Sequence, residues 1–272
     1  MRIIADLCTF VQPRKGSEGV AAHAAAAMVH SLEAVAAVAR APVRPVFTEA
    51  VRDVDRRAPA IRMLAGVACQ IVSAAGDLNV PREVYAGFDL VLAGLRPPAR
   101  LNILAAFRRG KPGADAIAAA AYRHEIDVLT DVGDPDVDPA EVARACRERG
   151  VVLELRARGL LPPADFVRRA ARLGARFVIT SGARAPGEVG DCAAAIRLAR
   201  EAGLAPEQVV NSEQGGLWEW LEAQAHRRRL VAAGGWAGWA GQGGAWPLQR
   251  RRPDARRPSD WADWSEQGGE VH

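Results

Sequence analysis

Three arginines stand where an apolar run gives way to a loop: Arg96 after 88–95, Arg156 after 151–155 and Arg184 shortly after 176–180. A guanidinium holds a phosphate or carboxylate through paired, charge-assisted hydrogen bonds and needs no metal to do so. If these three ends converge, they form a cationic mouth for an anion. The same side chains could instead pair with Asp131, Asp134 or Glu154 and fill a cavity. Cys8 also ends a strand-like run, but no general base is placed beside it, so a small buried thiol is expected rather than a nucleophile. His23 and His30 are seven residues apart and share roughly one face of a helix, where ordinary helix histidines are expected. His124 precedes a strand, at the end away from such a mouth, and reads as structural. There is no GxSxG elbow, no GxxxxGK[ST] loop, no HExxH and no GxGxxG after a strand.

Short β-branched runs alternate with longer Ala/Arg-rich stretches, and this alternation must position those residues. Strands are expected at 2–6, 88–95, 126–130, 151–155 and 176–180, with short ones at 43–47 and 209–210. The run 61–72 is apolar, with Gly66 inside it. The run 88–95 is apolar throughout, as a strand covered on both faces would be. Helices are expected at 20–39, 114–123, 139–149, 163–173, 188–202 and 216–225. Pro139 suits a first helical turn, and Gly150, Gly174 and Gly203 suit helix ends. Strand–helix alternation with short connections implies parallel strands under helices. Six or seven such units fit an α/β fold of the distorted (β/α)7 TIM-like barrel type, whose chemistry sits where strands end.

The composition is uneven along the 272 residues. All seven Trp lie between Trp218 and Trp264, and all but two of the 36 basic residues are arginine, the exceptions being Lys15 and Lys111. From His226 onward eight arginines face five acids, so much of the net charge of +4 belongs to the last segment. Residues 1–225 form the expected barrel domain. Residues 226–272, rich in Gly, Trp and Arg, read as a low-complexity, disordered tail. A near-neutral body argues against a dedicated nucleic-acid-binding domain, leaving only the Arg/Trp tail for such a contact. No apolar run reaches the roughly 18–20 residues that cross a bilayer, so no membrane partner is expected. The N-terminus enters a strand-like run without a signal-peptide core, and Cys8, Cys69, Cys146 and Cys192 have no CxxC spacing. A cytoplasmic protein with reduced thiols is expected.

Several segments, in order, resemble the PHP (polymerase and histidinol phosphatase) family. ADLCTF at 5–10 is similar to its D-L-H-x-H-T strand end, and GVACQI at 66–71 to G-[IV]-E-A-N-I. FDLVLAGLR at 88–96 is similar to D-x-[VI]-[IL]-A-G-[FL]-H, and IDVLTDVGDP at 126–135 to V-[DH]-I-[IL]-[ST]-H-P-G-[ND]-P. VLEL at 152–155 resembles the A-L-E-I-N strand, FVITSGAR at 177–184 the strand ending S-D-[AS]-H, and PEQVVN at 206–211 P-E-x-[IV]-[IL]-N. The likeness spans roughly residues 1–225 and is nearest the small stand-alone bacterial phosphatases. It implies a distorted seven-unit barrel and a phosphoesterase holding three metals. The family's T-D-H-[GS] strand end has no match; 40–43 is where it would fall, with no ligand.

The departures carry as much information. By this resemblance the family's metal ligands fall on Cys8, Phe10, Ala68, Arg96, Asp131, Gly182 and Arg184. Zinc, manganese or iron needs imidazole, carboxylate or thiolate donors. Of the seven positions only Cys8 and Asp131 offer one, so these are the residual metal candidates. The expectation is a catalytically silent relative with no cofactor, acting as a scaffold for a small phosphorylated or anionic ligand or for a protein partner. The anion would sit on Arg96, Arg156 and Arg184. The alternative is a working metal-dependent phosphoesterase with zinc, manganese or iron on non-standard ligands.

Overall fold

Period-two alternation sorts each strand's side chains into two apolar environments. In the computed structural model, which describes residues 1–12, 15–41, 43, 45–85, 87–95, 114–132 and 138–232, the strands are β1 (Ala5–Phe10), β2 (Ala34–Arg40), β3 (Arg62–Gln70), β4 (Leu90–Gly94), β5 (Val128–Thr130), β6 (Val152–Arg156) and β7 (Arg176–Thr180). One set of side chains, including Ala34, Ala36, Val38, Leu64, Leu90, Leu92, Val128, Val152 and Val178, fills an inner core. The alternate set, including Val35, Ala37, Met63, Val67, Val91, Leu129, Leu153, Phe177 and Ile179, packs in an outer core with the helices. These helices are α1 (Gly16–Val29), α2 (Pro45–Arg57), α3 (Arg82–Tyr85), α4 (Ala114–Arg123), α5 (Pro139–Arg149), α6 (Ala164–Arg172) and α7 (Ala193–Glu201). A last helix, α8 (Leu217–Ala232), and the 3-10 turns Pro186–Glu188 and Pro206–Gln208 complete the described elements.

The seven strands run parallel in sequence order. The result is a nearly closed TIM-like barrel with, among the described residues, one strand fewer than the usual eight. Polar side chains bridge the seam between β7 and β1. Asn211 donates through its side-chain amide to the carbonyls of Ala5 (2.7 Å) and Ile179 (2.6 Å) and accepts from the Ile179 N–H (3.0 Å). Asp6 accepts from the backbone N–H groups of Ser181 (3.1 Å) and Gly190 (3.0 Å). Phe10 donates its N–H to the Ala183 carbonyl. The segment 209–212 lies where a further strand would run: Val210 donates to Phe177 and Ile4 donates to Asn211.

Four sequence expectations need correction. The expected helix 20–39 is α1, a turn in which Ser31 takes φ 53°, and strand β2. The alanines of β2 suit a helix by propensity, but they are buried on both faces between inner and outer cores, and tertiary burial decides. The expected strand 43–47 falls at the start of α2, where Pro45 opens the helix. The first strand runs over Ala5–Phe10 rather than 2–6. At 209–210 there is a single bridge to Phe177, not a strand.

The last helix also exceeds its expected end at residue 225: α8 continues to Ala232 and seals the floor of the barrel. Trp220 and Leu217 enter the inner core, and Trp220 Nε1 and Gln224 Nε2 both donate to the Gly150 carbonyl. Buried Asp127, just before β5, pairs with Arg227 and Arg228. Among the described residues no helix is long and apolar enough to cross a membrane.

Candidate functional site

The inner face turns polar at the C-terminal ends of the strands. On β6, Val152 lies in the inner core, and Glu154 and Arg156 follow at the same pleat spacing toward the mouth. Glu154 is buried. Its Oε1 accepts from the Thr180 hydroxyl at 2.7 Å and its Oε2 lies 3.7 Å from an Arg156 guanidinium nitrogen. Arg156 also hydrogen-bonds Asp131, which follows β5 in a left-handed backbone conformation, φ 56°. The Cys8 thiol faces Glu154 from β1. Burial raises the Glu154 pKa, with Arg156 opposing it. Burial opposes the Arg156 charge, but Glu154, Cys8 and Asp131 outweigh it and raise its pKa. Burial and the Glu154 charge push the Cys8 thiol well above its ordinary value, so it stays protonated and is a poor nucleophile.

Gly182, just past β7, is shaped by the same arginine. It has φ +66°, and a Cβ built there would lie 2.7 Å from both Cγ and Cδ of Arg156. The Arg156 stem therefore fills the volume that a side chain at 182 would take.

Of the three arginines expected to converge, Arg156 sits inside the mouth and is paired with Asp131 and Glu154. Arg184 lies outside that cluster, where it lines a cavity of about 90 Å³ with Lys15 and His23. Arg96 lies outside the described residues. Phe10 ends β1 with the Arg40 guanidinium 4.4 Å above its ring, and Ala68 lies on β3 beside the inner core. His124 sits before β5, in contact with the Tyr85 hydroxyl at 3.2 Å.

The residues present do not fit a three-metal centre. Phe10, Ala68 and Gly182 carry no donor atom, Cys8 is held as a thiol, and Asp131 and Glu154 face a guanidinium. Among the described residues no three His, Cys, Asp or Glu side chains come together in a way that would hold a metal ion.

Glu154 is among the acids expected as partners of these arginines, and the pleat register turns it inward to Arg156. One participant escaped the sequence reading. Lys15 had no signal at all, because its role depends on where α1 begins.

Sequence comparison finds relatives named as phosphatases. The chain is 28% identical over 172 residues to a probable phosphatase of Edwardsiella ictaluri, spanning 60% of this chain and 68% of the relative. It is 24% identical over 178 residues to a probable phosphatase of Acetivibrio thermocellus, spanning 62% and 72%. A chain from an archaeal ribonuclease P with mature tRNA superposes with a TM-score of 0.49 at 12% identity, over 91% of this chain and 99% of that one. No family model matches. The chain is thus similar at low identity to proteins named probable phosphatases, over about three fifths of its length.

Proposed function

We propose that this chain is a phosphatase-related barrel of the PHP type in which a fixed guanidinium has taken the place of the metal cations. It binds a phosphorylated or anionic ligand and does not hydrolyse it through a metal centre. The observation that carries this reading is Arg156, which lies against Glu154 and Asp131 and fills the space over Gly182. A charge-neutralising cation is supplied by the chain itself. Hydrolysis in metal phosphoesterases depends on a metal-activated water and on Lewis-acid clamping of the phosphoryl oxygens. A guanidinium can clamp oxygens, but it keeps its proton and generates no hydroxide. Four free, buried cysteines fit a reducing, cytoplasmic setting.

The similarity to probable phosphatases favours one other reading, an active metal-dependent phosphoesterase on non-standard ligands. The two are separated by assaying the full chain on a phosphomonoester with added zinc, manganese or iron. The proposal expects no turnover above the protein-free rate with any metal. Turnover that a chelator abolishes and metal restores would establish the alternative.

A further inference from the structure

The Arg156 guanidinium is taken up by Glu154 and Asp131, so a ligand anion needs other cations. A cavity of about 90 Å³ opens between the end of β1, the start of α1 and the 3-10 turn Pro186–Glu188. A single water needs about 10–15 Å³ by such a measure, so the cavity has room for a group the size of several waters. Lys15 and Arg184 line it, and none of the described residues lining it carries a carboxylate. Glu188 accepts the Arg184 backbone N–H at 2.7 Å and faces Arg158 Nε at 3.5 Å, and Glu18, in the first turn of α1, is exposed.

Helix α1 begins at this cavity. Lys15 stands at the N-cap of this 14-residue helix, so the cavity lies beside its positive end. An independent observation comes from inside the helix. His23 is 4% exposed, lines the same cavity, and its Nδ1 has no hydrogen-bond partner among the described residues. A buried polar atom left unpaired calls for a partner. Burial and the Lys15 charge hold the His23 pKa down at about 4, so the ring is neutral and has one N–H to donate. Gly19 completes the wall: a Cβ there would lie 2.6 Å from the Lys15 Cβ and 3.3 Å from a Val11 methyl. Its absence lets the Lys15 stem pack close against the helix.

We propose that this cavity binds a phosphate group, free or carried by a small phosphorylated ligand, through Lys15 and Arg184, with His23 as a further donor. The site deepens the anion-binding reading above and rests on it. The test is calorimetric titration of the full chain at low salt with inorganic phosphate and with glycerol 3-phosphate. Saturable one-to-one binding is expected. Lys15→Ala and Arg184→Ala should each weaken it roughly tenfold or more, since each removes a charged hydrogen-bond donor. Arg197→Ala, on the exposed face of α7, should change it less than about twofold, as a distant surface charge. Both substituted cavity side chains are exposed, so the variants should fold. As a second measurement on the unaltered chain, saturating phosphate should raise the His23 pKa, read from its ring nitrogens by NMR.

Tighter binding of glycerol 3-phosphate would assign the cavity to a phosphorylated small molecule, and tighter binding of phosphate to the free ion; both support it. No saturable binding of either probe, or an equal loss in Arg197→Ala, overturns it. Those failures leave the reading of a barrel without metal hydrolysis intact. Metal-dependent turnover in the hydrolysis assay would overturn that reading even if phosphate bound here.

Discussion

The floor and the mouth of the barrel both place arginine against buried carboxylate, yet they do different work. At the floor Arg227 and Arg228 reach from α8 to Asp127, and the same guanidinium groups donate to the carbonyls of Ile126, Arg149 and Asp89. The pairs there dock one element on another. At the mouth Arg156 and Glu154 come from the same strand, two residues apart, Asp131 follows β5 and Thr180 of β7 donates to Glu154. These contacts join neighbouring strands rather than dock a helix. Charge pairs at the floor dock a helix, whereas those at the mouth neutralise one another at the strand ends.

The floor should therefore be the more costly to disturb. Asp127→Ala removes the carboxylate shared by two arginines whose side chains are only 6% and 9% exposed. Leaving those charges unpaired should cost about 3–5 kcal/mol, measured by urea unfolding. At the mouth Arg156→Ala should cost about 2–3 kcal/mol at neutral pH, because the buried Glu154 loses its opposing cation and must stay unpaired or take up a proton. The sign of its pH dependence follows from Glu154, whose pKa burial already raises and which loses its opposing cation. The deficit is full above that raised pKa and shrinks as pH falls and Glu154 takes up a proton. A deficit that grew on acidification would show that Glu154 is not the group left exposed to the penalty.

A smaller effect sharpens the role of Arg156. Gly182→Ala should cost about 1–3 kcal/mol, partly from its positive φ and partly from the clash with the Arg156 stem. In the Arg156→Ala background the clash disappears and only the backbone part should remain. The double-mutant cycle would then give a coupling of about 1 kcal/mol. Strict additivity would mean that the two positions do not share the space.

His23 adds a separate, pH-dependent effect. Burial and Lys15 hold its pKa at about 4, below the ordinary histidine value near 6.5. The unfolded chain binds the extra proton between these pH values, so the stability present above about 6.5 is lost progressively as pH falls toward 4. His23→Asn should flatten that part of the stability profile. Bound phosphate should flatten it too, since an anion beside the ring favours its protonation.

How much of this was legible in the sequence differs by region. The strands β4 to β7 declared themselves because each is a short, apolar, β-branched run flanked by helix-forming segments and glycine ends. The strand β2 did not, because AVAAVA carries a helix former at most positions and its burial depends on two layers of neighbours. The end of α8 was hidden for another reason: Arg227 and Arg228 look like the start of a basic tail until Asp127, a hundred residues earlier, is placed beneath them. The placement of Cys8, Phe10 and Ala68 on strands, and of Asp131 and Gly182 just past them, could be anticipated from alternation and resemblance, whereas Arg184 lies past the end of β7 and outside the mouth cluster. Asp131 and Glu154 are among the acids expected as partners of these arginines, and strand register brings both to Arg156. The cavity at Lys15, His23 and Arg184 joins a loop, a helix start and a distant turn, and no local pattern announces such a junction.

The central claim is that Arg156 occupies the charge and volume that metal cations would otherwise require. Its most direct test is the metal content of the purified full chain after dialysis against zinc, manganese or iron, by mass spectrometry per protein chain. The account predicts far less than one metal per chain, with Arg156 still paired to Glu154 and Asp131. One or more tightly held metals per chain, retained through dialysis, would contradict it.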